Sequence, residues 1–191
     1  MKRLNNTILT WSMIIFFLTL LFFLYNKQEN NDYVRVADDA SPPSDLHPEV
    51  ERNKNLLIEK AADIGIEVVI TDGLRTFDDQ ETLFAMGRSV EGNKVTNARG
   101  GESYHNYGLA IDYALRNSNG EIIWDTAYDG NGNGEPDWTE VADIGKELGF
   151  DWGGDWKHFR DYPHLQMTFG LSINDLQNGL RPAIDGTADG D

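Results

Sequence analysis

Residues 103–116, SYHNYGLAIDYALR, decide how the rest of the chain is read. Leu109, Ile111, Tyr113 and Leu115 alternate with Ala110, Asp112 and Ala114, the two-residue period of a strand. Asp112 thus lies on a face whose neighbours are alanines, and small neighbours leave room against its carboxylate. His105 stands just upstream, in a turn shaped by glycine and tyrosine. A second stretch, DYPHLQ at 161–166, leads into another strand, PHLQMTF, with His164 and Gln166 on one face and Leu165 and Met167 on the other.

Outward from these strands, a helix is expected from His47 to about Ile64, with Pro48 in its first turn, Gly65 as its stop and Leu57, Ala61 and Ile64 as its buried stripe. IEVVITDG, 66–73, is rich in β-branched residues and reads as a strand. A second helix is expected from about Asp78 to Gly87, capped by Thr76 or Asp78. EIIW, 121–124, reads as a short strand, and Val141, Ile144 and Leu148 mark a helix closed by Gly149. Helices and short strands without strict βαβ alternation predict an α+β domain, a small antiparallel sheet with helices packed on it.

The amino-terminal residues differ in kind. Ile8 to Tyr25 run ILTWSMIIFFLTLLFFLY without a charge, long enough to span a bilayer as a helix. A core helix would show a polar face, and a cleaved signal peptide should end in small residues; neither feature is present. Residues 1–25 are therefore expected to be a single-pass signal anchor, and Lys2 and Arg3 keep the amino terminus in the cytoplasm and the domain outside. Residues 26–46, polar and carrying Pro42 and Pro43, read as a flexible linker, 47–180 as the folded domain and 181–191 as a disordered tail.

The net charge of −16 argues against a nucleic-acid partner, which needs a basic face. From His47 onward there are 12 Lys or Arg against 27 Asp or Glu, so about −15 belongs to the folded part, and divalent cations are plausible counter-charges. Cysteine is absent, which excludes disulfides, thiolate zinc sites and a lipidated cysteine, and suits an extracytoplasmic bacterial protein.

Catalytic zinc commonly takes three ligands from His and Asp or Glu and leaves a fourth position for water. His105, Asp112 and His164 can supply that set, and Asp161, stiffened by Pro163, can lean over the open position to move the proton. The bland reading makes both histidines polar strand-end residues. A second rival is the two-His-one-carboxylate iron site, against which the additional acid favours hydrolysis. His47 and His158 read as structural.

The order SxHxxGxAxD followed by DxPH, on Ser103, His105, Gly108, Ala110 and Asp112 and then Asp161, Pro163 and His164, resembles the VanY-like bacterial zinc D-alanyl-D-alanine carboxypeptidases and L-alanyl-D-glutamate endopeptidases, whose domain is of the D,D-carboxypeptidase/hedgehog-like type. GLRTFDDQ resembles the family's upstream arginine segment, on Gly73, Arg75 and Gln80, and GFDWGGDW looks like the L-alanyl-D-glutamate branch. The resemblance covers roughly residues 46–170. It implies zinc on His105, Asp112 and His164, Asp161 as general base and then acid, Arg75 on a substrate carboxylate or developing oxyanion, and substrate contacts from Ser103 and Gln80. Many relatives carry glutamate where this chain has Asp161. Without the resemblance, Arg75 reads equally well as a surface ion pair with Asp78 or Asp79.

DGNGNGEPDWTE, from Asp129, fits the calcium loop of the EF-hand: Asp129, Asn131 and Asn133, Gly134 at the sharp turn, the Glu135 carbonyl, Asp137 and a closing Glu140. A strand before the loop and Pro136 within it predict a single unpaired site. The chain is thus expected to be a monomeric, membrane-anchored hydrolase of peptidoglycan stem peptides, cutting L-Ala–D-Glu. The alternatives are a D-alanyl-D-alanine carboxypeptidase and a non-catalytic wall-binding or calcium-sensing module.

Overall fold

A computed structural model describes residues 11–21, 33–37 and 41–184. The chain divides into two units, Met1–Val34 and Arg35–Asp191. In the first, residues 11–21 are helical with Trp11, Met13, Phe16 and Phe17 exposed. Among the described residues no helix is long and apolar enough to cross a membrane; the ends of the expected span, residues 8–10 and 22–25, lie outside the described residues.

The second unit is built on an antiparallel sheet. Its strands are β1 (Glu67–Asp72), β2 (Ala110–Arg116), β3 (Ile122–Ile123), β4 (Asp151–Trp152) and β5 (His164–Gln166). They lie in the order β1-β2-β5-β4, with β3 also paired to β2. Helix α1 (Pro48–Asp63) starts where His47 Nδ1 accepts the Glu49 N–H and Pro48 occupies the first turn. Helices α2 (Phe77–Ala85, capped by Thr76), α3 (Asp137–Glu147) and α4 (Ile173–Gln177) complete it. This is the expected α+β architecture.

Helix α1 buries Val50, Leu57 and Ala61, and α3 buries Trp138, Val141 and Ala142, in one cluster with Ile111, Tyr113, Leu115 and Leu165. Each such large apolar side chain contributes about 1.5–3 kcal/mol. Ile64, expected in the stripe, is instead the C-cap of α1 and is exposed, because the helix ends before its side chain turns inward. In β2 the alanines are buried as fully as Ile111 and Tyr113, so the sheet is covered on both faces there. Asp112, and Arg116 at the strand's end, are its partly open positions.

Regular structure is also present outside residues 47–180. Within the expected linker, Tyr33–Arg35 is a short strand, and the Val36 N–H donates to the Gly179 carbonyl at 2.9 Å. At the other end Leu180–Pro182 is also a strand, and Arg181 stacks over Tyr107, 4.7 Å from the ring centre. Residues 185–191 of the expected tail lie outside the described residues.

Candidate metal centre

The sheet register assembles the centre. Asp112 on β2 pairs with His164 on β5, and on its other side with Asp72 on β1. The pairing slips between Ile70 and Asp72, and this bulge sets Asp72 opposite Asp112. His105 comes from a 3₁₀ turn, Tyr104–Tyr107, that begins at Ser103. The Ser103 hydroxyl accepts the His105 N–H at 3.4 Å. Gly108 ends the turn with φ of 68°, and a Cβ there would lie 2.5 Å from the Asp45 carbonyl oxygen. Glycine is required at this position by both conformation and space.

His105 Nε2, Asp112 Oδ1 and His164 Nδ1 form a nearly equilateral triangle. The edges are 3.3 Å from His105 to Asp112, 3.1 Å from Asp112 to His164 and 3.2 Å between the two nitrogens. Three ligands of a tetrahedral zinc, each about 2.0–2.1 Å from the ion, stand about 3.3 Å apart. The far side of each ring is also spoken for. His105 Nδ1 lies 2.7 Å from the Gly73 carbonyl oxygen and His164 Nε2 3.0 Å from Gln166 Oε1. The outer nitrogens face acceptors, and so do the inner ones, which lie 3.1–3.3 Å from Asp112 Oδ1; with the protons on the outer nitrogens, the inner nitrogens of the neutral rings offer lone pairs beside that carboxylate. That donor set fits a cation.

The electrostatics agree. Burial alone would raise the Asp112 carboxyl, but His105 and His164 more than offset it and hold it well below the usual carboxylate range. Burial alone would lower His164, yet Asp112, Gln166 and Asp161 raise it above its ordinary value. The site therefore draws positive charge, from a proton or from a metal ion.

Asp161 sits beside the centre. Its N–H donates to the Gly153 carbonyl at 3.0 Å, and its own carbonyl accepts the His164 N–H at 3.2 Å. Burial lifts its carboxyl above the ordinary range, and the Asp112 charge adds to this against the pull of His164, His105 and Arg75. A raised carboxyl is better matched to proton transfer near neutrality.

Arg75 is largely buried, and its ion pair is with Asp72 on β1 where the sequence offered Asp78 or Asp79. The bulge that turns Asp72 inward is the cause. Arg75 Nη1 donates to Gln80 Oε1 at 2.7 Å, while Nη2 is 3.9 Å from Asp112 Oδ2. Gln80 is fully buried, and its amide donates to the Ala98 carbonyl and to Thr96 Oγ1, so it reaches the site through Arg75. Asn106 went unnoticed in the sequence. Its buried amide donates to the carbonyls of Arg75 and Thr76 and accepts the N–H groups of Gly101 and Ser103. It ties the His105 turn to the arginine segment, and its place between His105 and Gly108 was the available signal. These groups open on a cleft of about 530 Å³, walled also by Tyr104, Trp156 and Phe159.

The Asp129–Glu140 loop stands apart from this centre. Asp129 accepts the N–H groups of Gly132, Asn133 and Gly134 at 2.8–3.1 Å. Glu140 accepts the side-chain amides of Asn131 and Asn133, which draws three of the loop's ligand positions together. Asp137 is buried and turned onto the Gly130 N–H, and Glu135 is exposed, its N–H given to Asn133 Oδ1. Among the described residues, His105, Asp112 and His164 are the one group of three or more His, Asp or Glu side chains gathered closely enough to share an ion.

Fold and centre together define a metallohydrolase with a carboxyl group beside its metal site. Residues 96–167 match a family described as D-alanyl-D-alanine carboxypeptidase. The peptidoglycan L-alanyl-D-glutamate endopeptidase CwlK of Bacillus subtilis (strain 168) is 56% identical over 155 residues, covering 81% of this chain and 92% of that protein. The L-alanyl-D-glutamate peptidase of Listeria phage A118 is 30% identical over 137 residues, covering 68% of this chain and 43% of the phage protein. Among solved structures, the L-Ala D-Glu endopeptidase ChiX of Serratia marcescens superposes with a TM-score of 0.46 and 23% identity over 69% of this chain and 84% of that one. The chain belongs to the zinc metallopeptidase family of D-alanyl-D-alanine carboxypeptidases and L-alanyl-D-glutamate endopeptidases.

Proposed function

We propose that this chain is a membrane-anchored zinc endopeptidase that cleaves the L-Ala–D-Glu bond of peptidoglycan stem peptides. The observation that carries the zinc is the 3.1–3.3 Å triangle of lone-pair donors on His105, Asp112 and His164. The bond is argued from the 56% identity to CwlK, a peptidoglycan L-alanyl-D-glutamate endopeptidase. Bound zinc supplies a Lewis acid and an acidified water. Asp161 takes the proton of the attacking water and returns it to the leaving amine of D-Glu. Arg75, clamped by Asp72 and Gln80, retains N–H groups for a substrate carboxylate or the developing oxyanion. Ser103 acts on the site through the turn that carries His105.

The anchor is argued from the uncharged run Ile8–Tyr25 behind Lys2 and Arg3, which sets the domain on the outer, wall side of the cell membrane as a monomer. One experiment tests both parts: the full chain is recovered from a membrane fraction, loaded with zinc and incubated with purified peptidoglycan, and the products are weighed. Glycan strands ending in L-Ala, with peptides beginning at D-Glu, are expected. Release of free D-Ala instead would assign the D-alanyl-D-alanine carboxypeptidase activity that describes the matching family. No product at all would leave a wall-binding module, and recovery in the soluble fraction would remove the anchor.

Calcium at Asp129–Glu140 is proposed on the loop's backbone, which is wrapped around Asp129 with Glu140 closing on Asn131 and Asn133. Tyr113, next to Asp112, stacks on Trp138 at 4.9 Å and donates to its carbonyl, so an ordered loop would steady the strand of the metal centre. Calcium added to chelated, zinc-reloaded protein is expected to raise the melting temperature. An unchanged melting curve and unchanged activity across the titration would remove the site.

A further inference from the structure

The two histidines of the centre are held in different ways. His105 Nδ1 lies 2.7 Å from the main-chain carbonyl of Gly73, a group that can only accept. With its proton on Nδ1, bonded to that carbonyl, the neutral ring leaves Nε2, 3.3 Å from Asp112 Oδ1, to bind a cation. His164 has no such carbonyl. Its Nε2 lies 3.0 Å from the side-chain amide of Gln166, the next residue on the same face of β5. An amide has an accepting end and a donating end, so it can support either tautomer, according to which end it turns to the ring.

We infer that Gln166 is a positioning residue for the metal centre: its carbonyl oxygen holds His164 in the Nε2–H tautomer, so that Nδ1 presents the lone pair that completes the triangle. Three observations carry this. Oε1 is the end turned toward His164. Nδ1 is the nitrogen that stands 3.1 Å from Asp112 Oδ1 and 3.2 Å from His105 Nε2. Finally, the register that pairs Asp112 with His164 also pairs Gln166 with Ala110 on β2 and Asp151 on β4, so Gln166 rides on a strand held from both sides. The Trp156 ring packs 5.2 Å from the His164 ring and limits its rotation, which leaves the proton position as the remaining freedom of this ligand. The amide nitrogen of Gln166 has no hydrogen-bond partner among the described residues, and the side chain lines the cleft. Its neutral amide orients the ligand without adding to the negative charge already carried by Asp112 and Asp161.

This inference rests on the zinc reading above, and the experiment separates the two. Gln166→Met keeps the length of the side chain and leaves only a weak thioether acceptor in place of the carbonyl oxygen; Gln166→Glu keeps a strong acceptor and removes the donor. Zinc affinity is measured by chelator competition at mildly alkaline pH. The tautomer of His164 is read from imidazole ¹⁵N shifts in the zinc-free proteins under the same conditions. Gln166→Met is expected to weaken zinc binding by about 10–100-fold and to give His164 a substantial Nδ1–H population, with Gln166→Glu restoring both. Wild-type zinc affinity in Gln166→Met, or a His164 that stays Nε2–H in that variant, would overturn the role. Failure of Gln166→Glu to rescue would overturn it too, because retention of an acceptor is all that the role requires. Wild-type protein that binds no zinc would instead sink the zinc reading itself, while the tautomer measurement would still report on Gln166.

Discussion

Asp161→Ala is expected to lower kcat/KM on stem peptides by about 10²–10⁴-fold while leaving bound zinc in place. The carboxyl of Asp161 is not one of the three triangle donors, so its loss removes no ligand. Its backbone is fixed between Gly153 and His164, and Gly153 leaves no slack. A Cβ at Gly153 would fall 2.4 Å from the Asp161 carbonyl oxygen and 3.2 Å from the His164 Cβ. The side chain therefore starts from a backbone in close register with a metal ligand, which is the preorganisation that proton transfer needs. Asp161→Glu, which keeps the carboxyl on a side chain one methylene longer, is expected to recover part of the activity. Full activity in Asp161→Ala would contradict the assignment. Loss of zinc together with activity would make Asp161 a ligand and not the base.

His105→Ala is expected to remove the metal as well as the activity. One vertex of the triangle disappears, and a Lewis acid worth several kcal/mol of transition-state stabilisation goes with it, roughly a 10³-fold loss or more. The histidine is 3% exposed, so truncation also opens a cavity under the 3₁₀ turn. His105→Gln, which fills that space with a poorer ligand, separates the two effects. Both variants should hold little zinc by elemental analysis while retaining the circular dichroism of the folded sheet. A His105→Ala protein with a full complement of zinc would refute the centre described above. So would one with undiminished cleavage.

The strand carrying Asp112 was legible because its alternation is strict. His105, Asp112, Asp161 and His164 were legible because their residue types in that order suit one chemistry. Less accessible was the role of Gln80, which a motif suggests as a substrate contact and which the fold buries as a brace for Arg75. Asn106 was missed because a buried amide linking two loops has no periodicity of its own. The partner of Arg75 was also out of reach, since nothing local in ITDGLRT announces a bulge.

The division has a physical reason. Side-chain chemistry and its period along the chain are local properties, and they determined the donor set, the strands and helices, the uncharged amino-terminal run and the acidic surface. Tertiary structure alone decided what depends on strands distant in sequence meeting at one register. It placed Asp112 between Asp72 and His164, set the donor atoms 3.1–3.3 Å apart, and chose Nε2 of one histidine and Nδ1 of the other. A one-residue slip in that register would turn Asp112 to the opposite face of the sheet and disperse the centre without altering a single residue.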